Sequence, residues 1–148
     1  MMLAKRGLLI LVFVMCCAAL WGGYADAQDV ALIMHKGKVK PVSLSEQEIK
    51  EVFLGQKTRW EDNSVIRFAV YTEDSALLAF LKSYVKKTPI QYNNYWKKLV
   101  FSGKGIMPKM FDDSQKVLDF VSNTEGAISF ISAKDVDAQR VVVITVAN

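Results

Sequence analysis

Residues 44–55, LSEQEIKEVFLG, with Trp60 five positions beyond, decide the reading of this chain. Ser45 followed three residues later by Glu48 is a capping box, the signature of a helix N-terminus. Ile49, Val52 and Phe53 then recur at i, i+3 and i+4, so one face of the helix is apolar. Gly55 follows as a left-handed stop. Trp60 falls in the polar loop Glu61-Asp62-Asn63-Ser64, which reads as a turn.

Upstream, residues 30–34 (VALIM) form a short apolar run ahead of the polar turn His35-Lys36-Gly37-Lys38 and predict a buried strand. Downstream, residues 65–71 (VIRFAVY) have the β-branched and aromatic content of a second strand. Thr72, Glu73, Asp74 and Ser75 then offer several helix caps. Leu77, Leu78, Leu81, Tyr84 and Val85 make a core-facing helical stripe that ends near Lys86-Lys87, where positive charge suits the helix dipole. After Pro89, Tyr92, Tyr95, Trp96, Leu99 and Val100 give another stripe, broken by Ser102-Gly103-Lys104-Gly105. Ser114 is positioned to cap a helix with Val117, Leu118 and Val121 on one face. Thr124-Glu125-Gly126 is a turn into a strand over 126–131, and residues 140–146 (RVVVITV) form the strongest strand signal in the chain. The order β, α, β, α, α, α, β, β predicts an α/β domain, with a mixed sheet flanked by helices.

The first 27 residues read differently. Lys5 and Arg6 precede an uncharged apolar run from Gly7 to Leu20, and Ala25-Asp26-Ala27 places small side chains where a signal peptidase checks. The run is shorter than the roughly 20 residues of a membrane span. The expectation is a signal peptide over 1–27, a domain over 28–148, export to the periplasm or beyond, and no stable membrane span once the leader is removed. Cleavage after Ala27 leaves 121 of the 148 residues, with 17 basic and 14 acidic side chains, a net charge of +3. That charge is too small to indicate nucleic acid or membrane binding. Both cysteines, Cys16 and Cys17, fall in the leader, so neither a disulfide scaffold nor a cysteine zinc site is expected, and one histidine builds no cluster.

In this order three segments resemble the phosphate ABC transporter substrate-binding proteins, of the periplasmic-binding-protein-like type II superfamily. Residues 44–55 with Trp60 are similar to that family's helix ending in an "IFxG" pattern and its nearby Trp. Tyr95-Trp96, residues 100–105 (VFSGKG) and Pro108 resemble its short, single-domain members. Residues 124–130 (TEGAISF) are similar to its "TPGAIGY" turn and strand. The resemblance spans about residues 30–131 and implies one lobe of a type II binding protein, with noncovalent capture of phosphate or another small oxyanion for an ABC permease.

The family's anion loop precedes a helix and carries Arg with Ser-Gly-Thr. The matching stretch here keeps Ser75, adds Thr72, and replaces Gly and Thr by Ala76 and Leu77, with Tyr71 at the Arg position. Backbone N–H groups at such a helix start grip an anion, helped by the dipole. Glu73 and Asp74 oppose this, each like charge costing about 1 kcal/mol even in high dielectric. Arg67 or a nearby Lys would be needed to offset them.

The ligand-binding candidates are therefore Thr72, Ser75, Ala76 and, on an opposite cleft wall, Gly126. Their bland readings are a helix cap and an ordinary turn. Trp60 and Trp96 read as half-buried core or binding surface, His35 as a loop residue, and Asp112-Asp113 as a cation site or a solvated loop. No Ser/His/Asp or Cys/His set appears, so no catalytic residue, cofactor or metal is expected. Two functions stand: a solute-binding lobe for a small oxyanion, and a degenerate lobe that recognises an envelope sensor or transporter without tight phosphate binding.

Overall fold

The apolar run at residues 127–132 becomes the middle strand of the fold, buried along its whole length. The computed structural model describes residues 29–37 and 43–147. The expected leader, its cleavage point, both cysteines and Lys38 lie outside the described residues. In chain order the elements are β1 (Val30–Met34), β2 (Ser43–Ser45), α1 (Glu46–Phe53), β3 (Arg67–Tyr71), α2 (Asp74–Phe80), α3 (Pro89–Phe101), β4 (Lys109–Phe111), α4 (Ser114–Asn123), β5 (Ala127–Ser132), β6 (Val142–Val143) and β7 (Thr145–Ala147). A π-helical turn, Leu81–Val85, extends α2, and a 3-10 turn, Ala133–Asp135, follows β5.

Five strands pair in the order β4-β3-β5-β1-β6. β3 lies parallel to both β4 and β5, whereas β1 runs antiparallel to β5 and β6. A strand buried on both faces needs cover on both. Alternation along β5 turns Ile128 and Phe130 to one face and Ala127, Ser129 and Ile131 to the other. On the first face Phe130 stacks on Phe80 of α2 at 3.9 Å between ring centroids, and Phe53 of α1 meets Phe80 edge-on at 4.6 Å. Phe68 of β3 extends the cluster to Trp96 of α3. α4 packs against β5 through a stripe of Val117, Leu118 and Val121, all fully buried.

The capping box of α1 forms as the sequence implies. Ser45 Oγ accepts the Glu48 N–H, and the Glu48 carboxylate accepts the Ser45 N–H. Lys57 binds the same carboxylate at 2.6 Å and, with the cap, holds it below the usual carboxylate range. Gly55 adopts φ +70°, and a Cβ there would meet the Trp96 ring at 2.7 Å. The Tyr92 and Tyr95 hydroxyls donate to the Phe53 and Leu54 carbonyls, fastening α3 across the end of α1. Burial drives the Tyr92 phenol well above its ordinary pKa.

Three expectations are corrected. The strand expected over 140–146 divides at Ile144, which is buried and donates its N–H to the Leu32 carbonyl. β6 joins the main sheet, and β7 pairs in parallel with β2, a strand not anticipated. β4 is likewise unanticipated, because three residues, two exposed and one half-buried, leave no periodic trace. Asp113, not Ser114, caps α4: its carboxylate accepts the Gln115 and Lys116 N–H groups, so Ser114 is already helical.

Phe130→Ala should cost about 3–5 kcal/mol, the usual loss for a fully buried aromatic. Phe101→Ala, at a position 91% exposed, should stay within about 0.5 kcal/mol. Urea unfolding of both variants checks the pair.

Candidate functional site

In a sheet of parallel strands, ligands settle beyond the carboxyl ends. At that end of β3, β4 and β5 the structure gathers Tyr71 to Glu73, Asp112 to Ser114, and the 3-10 turn carrying Lys134 and Asp135. Two helices, α2 and α4, begin there. The family resemblance assigns their kind of N-terminus to an anion, since the first N–H groups of a helix lack intrahelical partners.

The chain fills that role itself. Glu73 is the cap of α2, and its carboxylate accepts the Ala76 N–H at 2.8 Å and the Ser75 N–H at 3.3 Å. Ser75 Oγ donates to the two Glu73 oxygens at 2.7 and 2.8 Å. Every donor assigned to a ligand at Ser75 and Ala76 thus meets an internal carboxylate. Those hydrogen bonds, from the Ala76 N–H first and then the Ser75 hydroxyl, hold Glu73 below the ordinary carboxylate range, with Lys134 contributing. Thr72 is engaged too: its N–H and its hydroxyl both donate to the Phe111 carbonyl, tying β3 to the end of β4.

Tyr71, at the position that the resemblance gives to Arg, is buried with its phenol pushed above the usual value. Burial is the main cause, and the charges of Asp135, Glu73 and Asp113 add to it, while the Ser114 hydroxyl works the other way. The charges of three carboxylates are thus felt at one hydroxyl. The local field at this helix start is therefore acidic, with Lys134 acting against it at Glu73. Asp112 pairs with Lys116 at 2.9 Å, which suits the solvated-loop reading of Asp112-Asp113. Among the described residues no group of three or more His, Cys, Asp or Glu could hold a metal ion.

Gly126 is not brought to this place. It precedes β5, whose Ala127 pairs with Arg67 at the start of β3. Thr72 lies past the other end of β3, roughly 20 Å away at about 3.3 Å per strand residue. Gly126 has φ +74°, and a Cβ there would lie 2.3 Å from the Val65 carbonyl oxygen. Its own carbonyl accepts the Trp60 indole N–H at 3.1 Å and the Arg67 N–H at 3.2 Å. Trp60 is thereby a buried strut under the turn. Arg67 Nη1 donates to the Glu125 carbonyl at the same end, so Arg67 does not offset the acidic charge near Ser75. The cap made by Glu73 was one of four candidates in the sequence. The approach of Asp113 and Asp135 to Tyr71 left no sequence signal, because it depends on the strand order.

The fold is that of the substrate-binding proteins of phosphate transport. The structure is similar to that of a protein from Clostridium perfringens assigned as a phosphate ABC transporter substrate-binding protein and solved with bound phosphate, at 24% identity and a TM-score of 0.58. It is also similar to an ABC-type phosphate transport receptor from Vibrio cholerae (15%, 0.52) and to PstS from Borrelia burgdorferi (14%, 0.56). These matches cover 79–80% of this chain, which spans only 44–47% of the length of each. No protein-family model and no curated protein matches the sequence. No helix among the described residues is long and apolar enough to cross a membrane.

Two outcomes follow. Gly126→Ala should lower stability by about 1–3 kcal/mol, read from the urea midpoint, because the left-handed backbone and the Val65 carbonyl both resist a side chain. Glu73→Gln should cost about 0.5–1 kcal/mol, as for loss of an exposed cap. Since the folded-state pKa of Glu73 is depressed, that difference should be full above the ordinary glutamate value of 4.5 and vanish as pH falls through the lower folded value.

Proposed function

We propose that residues 28–148 form an exported, non-catalytic binding module, a type II lobe of substrate-binding-protein ancestry, that recognises a protein of the cell envelope and binds free phosphate weakly. The observation that carries this reading is the Glu73 carboxylate seated on the N–H groups of Ser75 and Ala76 and on the Ser75 hydroxyl. An incoming anion must displace it and then share the space with Asp113 and Asp135. A displaced carboxylate costs its cap, and the like charges of Asp113 and Asp135 add to that cost. One lobe also offers one wall of the two that enclose a ligand. Envelope sensors and ABC permeases are the partner class that the ancestry supports.

A second reading has its own support. Ser75 and Ala76 still present converging donors at the end of the sheet, and a solved relative of the same fold holds phosphate. On this reading Glu73 is a displaceable stand-in for the ligand, and the module captures a small oxyanion for transport.

Calorimetric titration of the 28–148 domain with phosphate and with sulfate at neutral pH separates the two. The first reading expects dissociation constants in the millimolar range or no heat; micromolar binding would overturn it in favour of the second. Glu73→Ala frees the donors, so phosphate should then bind about tenfold more tightly.

A further inference from the structure

The small net charge of the chain conceals a strong asymmetry. Residues 75–111 contain seven lysines and no aspartate or glutamate. The other 111 residues carry 12 basic and 15 acidic side chains. This basic quarter comprises most of α2, its π-turn, α3, the following loop and β4.

The same segment holds the most exposed large apolar side chains among the described residues. Phe101 is 91% exposed, Ile106 88% and Ile90 74%. Tyr92 and Trp96 take the buried face of α3. Ile90, Asn94, Lys97 and Phe101, spaced i, i+4, i+7 and i+11, form one line along its outer face. Lys98 and Val100 flank that line and are exposed. Gly105 folds back against Leu99 and Trp96, within about 3.5 Å of their side chains for an added Cβ, which leaves Ile106 beside the last turn of α3. Lys104, exposed, lies between the two bulky residues in sequence. Lys97, Lys98 and Lys104 form no ion pair with another described residue. Lys86 does pair with Glu46, at 3.8 Å, and Lys87 sits over the Tyr95 ring, so these two belong to the fold.

We propose that the outer face of α3 and the loop after it form a docking surface for an anionic phospholipid membrane. The charge is complementary to such a surface: three free lysines surround the apolar side chains, and no carboxylate lies in the segment to repel acidic headgroups. The chemistry is that of an interfacial amphipathic element, in which basic residues meet headgroups while aromatic and aliphatic side chains enter the acyl boundary. Phe101 and Ile106 are the inserting residues. The acidic cluster around Tyr71 belongs to other segments, so the protein would meet the membrane with a preferred orientation. This inference does not depend on the state of the anion site.

The test is co-sedimentation of the protein over residues 28–148 with vesicles of phosphatidylglycerol and phosphatidylcholine in equal parts, and with phosphatidylcholine alone. Binding should be at least about tenfold stronger to the anionic vesicles and should fall steeply with salt. Lys97→Glu/Lys98→Glu/Lys104→Glu should abolish it. Phe101→Ser/Ile106→Ser should weaken it about tenfold with thermal midpoint unchanged, because both side chains are exposed. Absence of binding, or equal binding to both vesicles, overturns the proposal. So does tight binding to soluble polyglutamate that is indifferent to Phe101→Ser/Ile106→Ser, an outcome that assigns the surface to an acidic protein.

Discussion

The backbone N–H groups at the start of a helix must find acceptors, and this requirement shapes both the fold and the candidate site of the chain. Each of the four α-helices among the described residues is closed by a side chain of its own segment: Ser45 on α1, Glu73 on α2, Thr88 on α3 and Asp113 on α4. Two of the four caps are neutral hydroxyls, reinforced by Glu48 and Gln91 acting back on the cap. The other two are carboxylates, and both lie at the carboxyl end of the parallel strands. Where a binding protein would keep N–H groups for an anion, this chain has spent them on Glu73 and Asp113. Tyr71 registers the result through the charges that crowd it.

Much of the scaffold was legible because its signals are local. The capping box, the stripe of Ile49, Val52 and Phe53, the glycine at 55 and the run at 126–131 each speak through neighbouring residues, and the structure gives each its expected form, the last strand shifted by one residue to Ala127–Ser132. The missed pieces are those fixed by distant contacts. β2 and β4 have three residues each and exist because β7 and β3 pair with them. Ile144 interrupts a continuous β-branched run because the Leu32 carbonyl claims its N–H. The strand signal at 65–71 loses its first two residues to a loop in which Val65 bridges Arg59 and Ile66 bonds Thr58.

The candidate site was legible only in outline. The sequence placed Thr72, Ser75 and Ala76 at a helix start and noted the adverse charge of Glu73. It could not choose among four adjacent capping side chains, since the choice depends on which one reaches back over the first turn. Gly126 stood out as a turn glycine, and the structure explains that by the Val65 carbonyl behind it and by Trp60 and Arg67 bonded to its own carbonyl. The parallel pairing of β3 with β5 then separates it from Ser75 by the length of a strand. A charge count for the entire chain likewise averaged away the contrast between residues 75–111 and the remainder.

The position of β1 has a consequence for how the molecule is made. This first described strand lies between β5 and β6, near the opposite end of the chain, and β2 waits for β7. Neither sheet can close until residues up to about 147 have emerged from the ribosome. Contacts so distant in sequence form slowly, because loop closure precedes the gain from pairing. A nascent chain of this design keeps both sheets open until β6 and β7 have been made.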